Sequence, residues 1–124
     1  MYIPKIHEET DIHVLQSLVK SHPLATWATQ GDSELLVNHI PFFLDLTRGE
    51  FGTLVGHVAK ANRVWQSYSA TVNSVLAFQG AETYITPSWY PSKHAHGKAV
   101  PTWNYAVVHA HGLPRVVEDR KSVV

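Results

Sequence analysis

From Leu24 to Gly112 the chain is a succession of apolar runs of strand length, most of them closed by a turn signal, and that cadence limits the fold more than any other feature. Leu24 to Thr29 (LATWAT) reads as a strand, Gly31-Asp32 as a turn, and Leu35 to Leu46 as a partner strand broken near Pro41. After the Arg48-Gly49 turn, Phe51 to Val58 gives a third strand, in which Gly52 and Gly56 permit close backbone approach or a bulge. Val72 to Gln79 is a buried strand, Gly80-Ala81 a turn, and Glu82 to Ile85 a further strand. The last strand runs from Thr102 to Val117 and bends around Gly112 and Pro114. Two helices interrupt the cadence. One is capped by Thr10 or Asp11 and runs to Ser21 with Ile12, Leu15 and Val19 on one stripe; the other is a short helix over Ala59 to Tyr68. Without a βαβ rhythm, these elements predict a mainly β fold, a small antiparallel barrel with helices outside it.

Length and composition bound the function. The 124 residues make a single domain with 44% hydrophobic and 16% charged residues. Formal net charge is zero and the Lys and Arg residues are scattered, which gives no electrostatic footprint for nucleic acid. Cysteine is absent, so disulfides, thiolate metal sites and cysteine nucleophiles are excluded. No apolar run suits a signal peptide or a membrane-spanning helix, and the expected location is cytoplasmic. Low charge and many aromatics suggest a symmetric dimer.

Chemistry-bearing residues concentrate in Tyr84 to Gly112, which holds three of the five tyrosines and four of the nine histidines, with Lys93 and Lys98 among them. Such a mixture suits a pocket for a flat, charged ligand. The loop from Thr86 to Val100 is long enough to read as functional rather than connective. In PTWNYAVVHAHG, alternation places Trp103, Tyr105, Val107, His109 and His111 on one face, and Thr102, Asn104, Ala106, Val108 and Ala110 on the other. The first face suits a subunit interface or a ring-stacking wall, the second a crowded interior. Gly56 to Trp65 (GHVAKANRVW) is a strand-to-helix junction in which Lys60, Asn62 and Arg63 suit a phosphate, against the plainer reading of a solvated first turn. The pairs His94/His96 and His109/His111 have metal-ligand spacing but lack a third ligand, so polar histidines in a loop and at a dimer seam are preferred. No hydrolase signature and no Gly-rich phosphate loop is present.

MYIPKIHEET, NHIPFFLD, GHVAKANRVW, FQGAETYITPSWY and GKAVPTWNYAVVHAHG together resemble the PaiB-type family of FMN-binding negative transcriptional regulators, in collinear order along nearly the whole chain. The resemblance implies a homodimeric split β-barrel with FMN in a cleft at the subunit interface. It implies Lys60 as leading phosphate ligand, with Asn62 or Arg63 in support and His57 at the adjacent strand end. Gln79 would meet the polar edge of the isoalloxazine, Thr102, Trp103 and Asn104 would line the flavin pocket, and Lys98 would reach the phosphate or the ring. It also implies a helical C-terminal region, which a chain of residues 1–124 ending in EDRKSVV lacks.

Two functions follow as expectations: a flavin-dependent redox or sensing protein, and a transcriptional regulator acting without flavin chemistry. A haem- or metal-binding split barrel is a further variant of the first. Direct DNA reading finds no helix-turn-helix and no basic face to support it.

Overall fold

The computed structural model describes residues 1–89 and 101–117. Helix α1 (Ile12–Ser21) begins where the Asp11 side chain accepts the His13 backbone N–H at 2.9 Å, and it ends at His22, which precedes Pro23. Its stripe of Ile12, Leu15, Leu18 and Val19 faces the sheet, with Val19 the most buried. Helix α2 (Val64–Ser67) is a single turn. The longer helix expected over Ala59 to Tyr68 is thus reduced, because Asn62 and the Trp65 indole tie the preceding segment down as a turn.

Among the described residues five strands stand where six were expected: β1 (Leu24–Gln30), β2 (Leu35–Asp45), β3 (Thr53–Gly56), shorter than the expected Phe51 to Val58, β4 (Ser74–Ile85) and β5 (Thr102–Gly112). They form one antiparallel sheet in the order β3-β2-β1-β4-β5. β3 and β5 are its two edges, so within the described residues the sheet is not closed into a barrel. β2 runs unbroken through Pro41 and changes partner there. Leu35 to Pro41 pair with β1, and Phe42 to Asp45 pair with β3. Proline has no N–H to donate, and this switch of partner is where its absence is tolerated.

The turn expected at Gly80-Ala81 is a β-bulge. Gln79 pairs with Val107 and Glu82 with Tyr105, which leaves Gly80 and Ala81 opposite Ala106 alone. β4 is therefore one long strand. Its second half, with the first half of β5, forms a two-stranded ribbon extending past the last β1–β4 pair at Ala25–Phe78. β5 ends at Gly112, short of the extent to Val117 expected from the sequence.

The core lies on one face of the sheet. Val19, Ala25, Leu44 and Phe78 form one cluster and Trp27, Ile40 and Val64 another, with Phe42 and Leu76 packed against both. Phe78 is fully buried and meets Phe42 edge-on at 6.5 Å between ring centroids. Val108 and Ala110 of β5 pack on the first cluster, as the small-residue face predicts. Gly56 allows Phe42 to lie across β3, since a Cβ there would sit 2.9 Å from the Phe42 ring. No described helix is long and apolar enough to cross a membrane.

Candidate functional site

The junction after β3 is built by its asparagine. Asn62 donates its side-chain N–H to Asn38 Oδ1 at 2.8 Å and accepts the Val64 backbone N–H at 3.1 Å. Its backbone N–H closes a turn onto the Ala59 carbonyl at 2.9 Å. The Lys60 carbonyl accepts the Trp65 indole N–H at 3.0 Å, which locks the loop to α2. Asn62 is thereby committed to holding the loop against β2. Lys60 and Arg63 are exposed, and neither forms an ion pair with a described residue. Two cations thus project from a loop whose backbone is fixed at both ends.

The second candidate group rides on the β4–β5 ribbon. Thr102 pairs with Ile85, Trp103 with Tyr84 and Asn104 with Thr83. The Trp103 and Tyr84 rings stand 5.9 Å apart across the strands. Trp103 is 53% exposed and Tyr105 60%, so the large face of β5 offers aromatic rings that no described element covers. Gln79, at the bulge, donates its amide to the Glu82 carboxylate. Lys98, His94 and His96 lie outside the described residues.

His57 is separate from both groups. It follows β3 directly and lines a cavity of about 350 Å³ on the inner face of the sheet. Lys60, Asn62, Arg63, Gln79, Thr102, Trp103 and Asn104 are not part of that lining. The structure thus gathers Lys60, Asn62 and Arg63 on one loop beside edge strand β3, and Thr102, Trp103 and Asn104 on the opposite edge strand β5. The cavity wall includes residues that sequence reasoning did not single out for a site: Arg48, Ser74 and Arg115. Ser74 gives no sequence signal as the first residue of a buried strand, and the arginines read as surface charges.

On the outer face of β5, the His109 and His111 rings are 6.2 Å apart. Burial, then the charge of the chain's amino terminus and that of His111, hold the His109 imidazole below its ordinary value. No group of three metal-ligating side chains stands together among the described residues.

Comparison with known proteins adds a family to this geometry. The model of the family described as "Putative FMN-binding domain" matches residues 1–124. Saccharomyces cerevisiae "Uncharacterized protein YKL070W" is 32% identical, over 98% of this chain and 82% of its own length. Bacillus subtilis "Protease synthase and sporulation protein PAI 2" is 30% identical, over 95% of this chain and 54% of its own length. Emericella nidulans "Uncharacterized protein AN0679" is 33% identical, over 98% of this chain and 59% of its own length. The chain thus spans little more than half of the Bacillus and Emericella relatives. With residues 1–124 matched, the chain belongs to the family described as "Putative FMN-binding domain", and the Bacillus PAI 2 protein is among its relatives.

Proposed function

We propose that this chain binds FMN between two copies of itself and serves as the flavin-binding module of a PaiB-like regulator. The observation that carries the reading is the family match over residues 1–124, and the side chains fit the cofactor's parts. A phosphate needs cations on a fixed backbone, and Lys60 and Arg63 supply them without a carboxylate partner among the described residues. An isoalloxazine needs a flat wall with polar atoms near its edge. Trp103, with Thr102 and Asn104 as its neighbours in sequence, provides these on the ribbon.

Strand order explains why two chains are needed. The phosphate loop borders β3 and the aromatic ribbon ends β5, at opposite edges of the sheet. A ribbon from a second copy can reach the first copy's loop, and the split-barrel dimer is the arrangement that supplies it. The outer face of the sheet supports the same reading. Leu24, Val37 and Phe43 are exposed there, and no described helix packs over them. When bound, FMN supplies one- or two-electron transfer, while the protein orients the ring and fixes its tail. Lys60 and Arg63 hold the phosphate charge, and the ribbon aromatics exclude water from the ring face.

Regulation through a flavin-borne signal fits the neutral charge balance better than direct DNA reading does. The test is a titration of the purified chain with FMN, read by quenching of flavin fluorescence. Saturable binding is expected, weakened about 10- to 100-fold by Lys60→Ala, the equivalent of one charged hydrogen bond. Absence of saturable binding, or unchanged affinity in the variant, refutes the site.

A further inference from the structure

The inner-face cavity stands apart from Lys60, Arg63 and the β4–β5 ribbon, and of the residues expected at the flavin only His57 lines it. Its lining takes Trp27, Ile40 and Phe42 from β1 and β2, Leu76 and Ala110 from β4 and β5, and Trp65 from α2. Its volume of about 350 Å³ falls within the range of small-molecule pockets.

Three observations define what it would hold. First, the walls are aromatic and aliphatic, which favours a planar apolar body. Second, the lining has no carboxylate among the described residues, whereas it includes two arginines. Arg48 is half-committed to Asp45 at 2.9 Å, and Arg115 has no ion pair with a described residue. Arg115, with no carboxylate partner among the described residues, and the partly neutralised Arg48 together suit a single negative charge. Third, Ser74 is 5% exposed, lines the cavity, and its hydroxyl has no hydrogen-bond partner among the described residues. Thr29, one step beyond the final β1–β4 pair at Ala28–Val75, carries a second buried hydroxyl without a partner among the described residues, but it lies outside the cavity lining. Native folds seldom leave buried hydroxyls unpaired, so a polar atom of an occupant is expected beside Ser74.

We propose that this cavity binds a small aromatic monocarboxylate, its ring between Trp27, Phe42 and Trp65, its carboxylate on Arg115, and a second polar atom on Ser74. Its lining shares His57 with the residues the family resemblance brings to FMN, whereas Lys60, Arg63 and the ribbon residues stand outside it.

Gly112 provides the critical variant. It lines the cavity, shares a sheet face with Ala110, and a Cβ built on it meets no heavy atom within 4 Å. A leucine there fills the space without displacing the backbone. Naphthalene-2-carboxylate and its neutral counterpart naphthalene-2-methanol are titrated into the chain by calorimetry, with methyl NMR shifts recorded alongside. Saturable binding at one site is expected, with the acid at least tenfold tighter than the alcohol and shifts at the Leu54 and Leu76 methyl groups. Arg115→Gln should remove the preference for the acid, and Gly112→Leu should abolish binding of both. Lys60→Ala should leave both affinities unchanged. The proposal is overturned if no saturable binding occurs, if the acid has no advantage, or if the Leu54 and Leu76 methyl groups of the wild-type chain stay unmoved. That last measurement decides the matter even where Gly112→Leu fails to fold. Competition by FMN for the probe overturns it too, because the cavity would then be the flavin's own seat.

Discussion

Asn62 and Lys60 are two residues apart, yet the structure gives them opposite roles, and replacing each by alanine separates those roles. Asn62→Ala removes the donation to Asn38 and the acceptance from the Val64 N–H. Each bond is worth about 1 kcal/mol net, and the half-buried Asn38 oxygen that loses its donor adds a fraction more. The expected loss is about 2 kcal/mol of folding stability, or roughly 8 °C in Tm for a chain of this size. Lys60→Ala removes an exposed side chain whose carbonyl, the group that accepts the Trp65 indole, stays in place. Its stability should remain within about 0.5 kcal/mol of wild type. Urea denaturation followed by tryptophan fluorescence measures both, because Trp65 sits on the tied loop. If Asn62→Ala costs less than about 0.5 kcal/mol, the amide does not hold the junction, and the role assigned to it collapses. If Lys60→Ala proves the more damaging, the loop is anchored by its lysine and the phosphate reading loses its uncommitted cation.

Phe78 is fully buried at the centre of the first cluster, so Phe78→Ala should cost about 3–5 kcal/mol, measured by the same denaturation. A cost under about 1 kcal/mol would show that the core lies elsewhere. Asp45 accepts hydrogen bonds from the Thr47 hydroxyl, the Thr47 backbone N–H and Arg48, which hold its carboxyl below the ordinary carboxylate value. Its contribution is therefore complete above the unfolded carboxylate range and lost as pH falls through the lowered folded value. Asp45→Asn should flatten that acid limb of the Tm–pH curve, and an unchanged limb refutes the assignment. His109 titrates below its ordinary value of about 6.5, chiefly because it is partly buried. The neutral ring is the folded form, so stability present above that value declines on acidification, and His109→Gln should remove that decline. An equal decline in the variant would place its origin at another group.

Much of this architecture was legible because local chemistry agreed with the final fold. Asp11 and His22-Pro23 bracket α1 as expected, and Gly31-Asp32 separates β1 from β2. Alternation in β5 put Val108 and Ala110 inward and Trp103 and Tyr105 outward, as found. Errors fell where one local signal has two structural meanings. Gly80-Ala81 has turn composition, but long-range pairing of β4 with β5 carries the strand through it as a bulge. Pro41 reads as a break, yet β2 continues because its partner changes there. The lone turn of α2 was overestimated because helix propensity over Ala59 to Tyr68 does not register the side-chain ties of Asn62 and Trp65.

The sequence by itself determined the strand succession, the helix cap, the neutral charge balance and the family, since each depends on residue type, spacing or collinear motif. Only the tertiary structure decided how the candidate residues group. Sheet order sends the Lys60 loop and the Trp103 ribbon to opposite edges, and packing leaves an inner-face cavity lined by Ser74, whose hydroxyl has no partner among the described residues. Both outcomes arise from contacts between residues far apart in the chain. Hydrogen bonding across strands and the filling of space between them settle such contacts, and neither is written in any local stretch of sequence.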